Sequence, residues 1–156
     1  MRTSRLLLAA GLAAAAALPA AAQDDPLAHA IEARQGYFTL LGTEIGPLAQ
    51  MAKGEMEYDA ERASAHAANL AALAGYDPAR LFPEGSSKFE REGDTRALAA
   101  IWDDMDGFMA AMQDFVEAAN ALPEVAGQGR AELAGGVGRV GDTCGACHED
   151  YRAEDF

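Results

Sequence analysis

The chain has 156 residues, half of them hydrophobic, and 25 acidic against 12 basic side chains give a formal net charge of −13. That balance argues against binding nucleic acid or anionic lipid, since both require cationic groups that displace counterions. Attraction of a basic protein and simple solubility are both compatible with such acidity.

Residues 1–22 read as a secretory signal peptide. Arg2 and Arg5 precede the apolar run LLLAAGLAAAAAL, and PAAAQ offers a small-residue cleavage site after Ala22. The run is mostly alanine and shorter than the ~20 apolar residues of a membrane span. No other segment is apolar enough to cross a bilayer, so a soluble, exported mature chain, 23–156, is expected, with the length of one domain and one core. Without Arg2 and Arg5 its balance is 25 acidic against 10 basic residues, or −15.

Alanine is abundant, β-branched residues are scarce, and no stretch sustains period-2 alternation, so the mature chain reads as helical. The first helix is expected over 26–53, with Phe38, Leu41, Ile45 and Leu48 along one face and Pro47 kinking it or distorting its last turn. A second, over 59–74, places Ala63, Ala67, Leu70 and Leu73 on one side. The loop GYDPARLFPEGSSKFEREGD follows, whose Leu81, Phe82 and Phe89 are expected to pack on the domain. A third helix is predicted over 94–120, because Leu98, Ile101, Met105, Phe108, Met112, Phe115 and Ala119 form one stripe, with Asp94 as N-cap. After LPEVAGQG, Leu133, Val137, Val140, Cys144, Cys147 and Tyr151 form the stripe of a last helix. Four amphipathic helices with mostly short connections predict an all-α fold, an antiparallel four-helix bundle.

The two cysteines of the chain stand in CGACHEDYR, so both lie on the buried stripe of a helix. Cys-x-x-Cys-His is the attachment pattern of c-type haem. Cys144 and Cys147 add across the vinyl groups, and His148 presents an imidazole to the iron. A dithiol redox site normally sits on a βαβ pattern that is absent here. A structural zinc needs four ligands, and the motif supplies three. The cofactor read from the sequence is one haem c. Glycines 135, 136 and 138, each costing ~1 kcal/mol in a helix, are expected to let this large flat group approach the backbone. A sixth ligand would have to come from upstream, where Met51, Met56, Met105, Met109, Met112, His29 and His66 are candidates, and periodicity does not choose among them.

Four motifs carry a resemblance: ARQGYFTLLG in the first helix, MAKGEMEYDAE at the turn into the second, IWDDMDGF before the third, and VGDTCGACHEDYR at the end. Together they resemble cytochrome c′, the four-helix-bundle class II c-type cytochromes of the bacterial periplasm. The resemblance spans the mature chain and implies a left-handed bundle with haem on its C-terminal helix. Low-spin members place a methionine ligand on the first helix, at the position that falls here on Phe38. A phenyl ring cannot ligate iron, so the resemblance implies a five-coordinate, high-spin centre with Phe38 over its distal face. Tyr37 stands where a small residue is expected, leaving open which of the two rings covers the iron. By the same resemblance Arg34 meets a haem propionate and Arg152 flanks the proximal histidine; Arg152 also shares a helix face with His148.

Such a site suits nitric oxide and carbon monoxide. Dioxygen profits from a distal hydrogen-bond donor, which phenylalanine lacks. The resemblance implies gas binding with one-electron redox chemistry, against a six-coordinate low-spin electron carrier as the alternative, with an unidentified redox partner. An enzyme is the weakest reading, because no distal histidine, arginine pair or substrate pocket is evident. Homodimerisation through helices near the N-terminus is also implied.

Overall fold

The computed structural model describes residues 25–155; the expected signal peptide lies outside them. Four long helices run in chain order: α1 (Pro26–Lys53), α2 (Ala60–Ala74), α4 (Met105–Ala121) and α6 (Arg130–Tyr151). The short helices α3 (Ala100–Asp103) and α5 (Pro123–Ala126) precede and follow α4, and a 3-10 turn spans Pro78–Leu81. Helix α1 packs on α2 and α6, and α4 packs on the same two. The result is a four-helix bundle with no strand among the described residues, only an isolated bridge between Ala97 and Arg152.

Local chemistry sets the helix ends. Asp25 accepts hydrogen bonds from the Leu27 and Ala28 amides, with Pro26 pre-set for the first turn. Gly54 ends α1 in the left-handed region at φ 77°. Pro47 does not end the helix, because Leu48 and Met51, both fully buried, hold the last turn in the core. Asp59 caps α2 through the Arg62 amide.

The predicted third helix is corrected. Asp94 caps nothing; its carboxylate accepts from Arg91, and residues 95–99 are not helical. Their backbone is engaged elsewhere: Lys88 N–H donates to Ala97 O, Leu98 N–H to Tyr151 O, and Ala153 N–H to Arg96 O. Helix begins only at Ala100, then breaks at Asp104, whose carboxylate caps α4 through the Gly107 amide at 3.0 Å. The apolar spacing survives the break, for Ile101, Phe108, Met112, Phe115 and Ala119 are all buried.

The crossover from Gly75 to Ala99 is a structured wall. Leu81 and Phe82 are buried as expected, but Phe89 is 92 % exposed and lies outside the core. Arg34 of α1 ties the crossover down. Its Nη1 donates to Leu81 O and Ser86 Oγ, and its Nη2 to Ser86 O and Thr95 Oγ1.

Candidate functional site

Between α1, the crossover, α4 and α6 lies a cavity of about 750 Å³, within the ~300–1,000 Å³ range of cofactor sites. Its walls are mostly apolar: Phe38, Leu41 and Ile45 from α1, Phe82 from the crossover, Phe108 and Phe115 from α4. Helix α6 contributes Cys144, Cys147 and His148 to one wall, as the predicted stripe requires. Arg34, Arg96 and Arg152 also line it.

Both thiols are half-buried and unbridged. Burial raises their pKa values, with the Arg152 charge opposing; Cys144 and Asp150 add to the rise at Cys147. Burial, then the charges of Arg152 and Arg96, lowers that of His148. A neutral imidazole keeps the lone pair that a metal requires. Two thiols three residues apart and a neutral imidazole on one wall of a large apolar cavity fit a covalently attached haem.

The structure separates the two neighbouring aromatic rings of α1. Phe38 lines the cavity at 38 % exposure, whereas Tyr37 is buried and its hydroxyl donates to Leu73 O of α2 at 3.4 Å. Of the seven upstream candidates for a sixth ligand, only Met112 lines the cavity. His66 is engaged by Glu44 at 2.7 Å, and Met51 is buried away from the cavity.

The glycine expectation is corrected. None of Gly135, Gly136 and Gly138 lines the cavity. A Cβ on Gly136 would lie 2.6 Å from Leu122 Cδ1 and 2.9 Å from Val125 Cγ2, so this glycine lets α6 pack against the α4–α5 corner. Gly138 has nothing within 4 Å.

Arg34 stands on the cavity wall, 4 % exposed, with its guanidinium carbon 4.8 Å from the centroid of the Phe82 ring. Its four bonds to the crossover occupy both terminal amino groups, which spacing along α1 could not reveal. Arg96 was missed because it sits in what reads as the start of a helix. It lines the cavity beside Arg152 and donates to Glu154 O at 3.0 Å.

Comparison with known proteins decides the relationship. The family model described as Cytochrome C′ matches residues 29–152. The chain belongs to the cytochrome c′ family. A cytochrome c′ of Cereibacter sphaeroides is 52 % identical over 150 residues, covering 96 % of this chain and 98 % of the relative. A solved cytochrome c′ from Rhodobacter Spheriodes superposes with TM-score 0.80 at 52 % identity, over 82 % of this chain and 98 % of that one. A nitric oxide complex of a mutant cytochrome c prime from Alcaligenes xylosoxidans superposes with TM-score 0.69 at 29 % identity, over 82 % and 97 %. A variant from the same organism is solved with carbon monoxide bound, and another relative is a cytochrome c′ with a ligand-controlled dimer dissociation. This family member is a monohaem c-type cytochrome whose cofactor is one covalent haem c, and it carries the attachment motif at Cys144 and Cys147. No helix among the described residues is long and apolar enough to cross a membrane.

Proposed function

We propose that the chain is an exported, periplasmic cytochrome that captures nitric oxide or carbon monoxide at a five-coordinate haem iron. When bound, the haem would supply an iron able to take up one electron and one small neutral ligand. Cys144 and Cys147 would hold it to α6, and His148 would give the iron its single protein ligand. Phe38 presents an apolar, non-ligating surface on the α1 wall, which admits a neutral diatomic and offers no hydrogen bond to favour dioxygen. Arg152, beside His148 at the end of α6, opposes a second positive charge on the imidazole. Arg34 holds the crossover wall through Leu81, Ser86 and Thr95 and places a positive charge on the cavity wall, where a haem carboxylate would be attracted.

The observation that carries this reading is the placement of Phe38, and of no imidazole besides His148, on the cavity wall. Gas complexes of the related proteins support it. Met112 on the same wall favours a second reading, an electron carrier with a thioether as sixth ligand. Absorption and EPR spectra of the ferric holoprotein, repeated on the ferrous form with and without nitric oxide, separate the two. High-spin iron that binds the gas is expected. Low-spin iron that resists it, and becomes high-spin in Met112→Leu, would establish the carrier.

A further inference from the structure

A second cleft, of about 320 Å³, opens on the outer side of the crossover between Phe89, Trp102, Glu84, Glu90 and Asp103. Phe89, at 92 % exposure, is a large apolar ring left in water. Trp102 lies between this cleft and the haem cavity. Its indole N–H donates to Phe82 O at 3.1 Å, and its ring centroid is 6.4 Å from that of Phe82. The contacts continue edge-on from Phe82 to Phe108 at 4.7 Å and from Phe108 to Tyr151 at 5.3 Å. Phe82, Phe108 and Tyr151 all line the haem cavity. One indole therefore connects the surface cleft to the wall of the cofactor site.

The charge around the cleft has one sign. Its nearby cations are already neutralised: Lys88 pairs with Asp155 at 2.7 Å, and Arg91 with Asp25 at 2.7 Å and Asp94 at 3.0 Å. Among the described residues, the carboxylates of Glu84 and Asp103 have no hydrogen-bond or ion-pair partner. An aromatic centre with a charged rim is the usual make-up of a protein contact. A second copy is a poor occupant of this cleft, because an isologous contact would set Glu84 and Asp103 against the same carboxylates of the other copy.

We propose that the Phe89–Trp102 cleft docks a basic one-electron redox protein, and that the Trp102–Phe82 contact is the electron's route to the haem. One electron leaves the reduced centre of the partner and converts ferric haem to ferrous; no bond or proton changes place. The inference requires the haem but no particular coordination of its iron, so it stands or falls apart from the gas-binding reading.

The test uses the ferric holoprotein and, as probe, a strongly basic class I cytochrome c in its ferrous form. Amide chemical shifts on titration with the probe are expected to move within 84–103. At low ionic strength, Glu84→Gln with Asp103→Asn should slow second-order electron transfer roughly five- to ten-fold and flatten its salt dependence. The matched pair Asp114→Asn with Glu117→Gln, on the exposed face of α4, should change it less than about two-fold. Trp102→Leu should slow the first-order step at saturating probe while reduction by dithionite is unchanged. Shifts centred on 144–152, or equal effects of the two charge pairs, would overturn the docking surface. A wild-type first-order rate in Trp102→Leu would overturn the route. Should that variant fail to fold, Phe89→Ser still decides docking: weakened binding supports it and unchanged binding refutes it.

Discussion

Arg34→Met isolates what a buried guanidinium does for the cavity wall. Burial pushes the pKa of Arg34 down to about 10 from an ordinary 12.5, a cost to the charged form of roughly 3 kcal/mol. Opposing it are four hydrogen bonds to Leu81, Ser86 and Thr95, each contributing about 1.5–3 kcal/mol when the donor is charged. At the lower bound those bonds amount to roughly 6 kcal/mol, leaving a net contribution of about 3 kcal/mol. Methionine fills similar space but leaves the Leu81 and Ser86 carbonyls without this donor. A loss of about 3 kcal/mol should lower Tm by roughly 10 °C in a domain of this length, read by calorimetry on the holoprotein and by guanidinium denaturation. Arg34→Lys keeps the charge but not the planar fork, and should recover less than half of the loss. A decrease under about 3 °C for Arg34→Met would refute the reasoning, showing that burial of the charge cancels the bonds it makes.

Other consequences are as direct. Gly136→Ala gains helix propensity of ~1 kcal/mol but forces a methyl to within 2.6 Å of Leu122, which is fully buried. Overpacking of ~1–3 kcal/mol should win, whereas Gly138→Ala, with nothing within 4 Å, should stabilise; urea midpoints moving in the same direction would contradict this. Phe38→Met should move the ferric spectrum toward low spin and slow nitric oxide binding, and unchanged spectra and rates would remove Phe38 from the distal face. The Asp25 carboxyl lies below its ordinary 3.8, chiefly through its hydrogen bond from Arg91. Its stabilising effect is therefore present above that value and lost as pH falls through the lowered one. The stability gap between wild type and Asp25→Ala should be full at neutral pH and shrink as pH falls below the ordinary carboxylate range; a gap independent of pH would contradict it.

The long helices were legible because their signals are local. The expected spans 26–53 and 59–74 agree with α1 and α2, whose ends are closed locally by Asp25, Pro26 and Gly54 and by Asp59. The thiols and imidazole of α6 were legible because a three-residue spacing on one helix is itself geometry. Misread were the places where partners distant in sequence decide the outcome. Residues 95–99 carry a helical stripe, yet Lys88, Tyr151 and Ala153 draw that backbone into crossing hydrogen bonds. Gly136 was assigned to the cofactor because only its own helix was considered, while the group that needs the space is Leu122. Tyr37 and Phe38 are adjacent, and only the packing of α2 shows which ring turns to the cavity.

The clamp at Arg34 also orders events in time. Its bonds join residues 47, 52 and 61 positions apart, so they form only after a long loop has closed, at an entropic cost that local helix contacts do not carry. Helical turns and the pairing of α1 with α2 can precede that closure; the cavity wall cannot. The crossover should accordingly be unformed in the folding transition state, with Arg34→Lys changing the unfolding rate and leaving the folding rate nearly alone. The binding chamber is then the last part of the molecule to be assembled and the first to be lost.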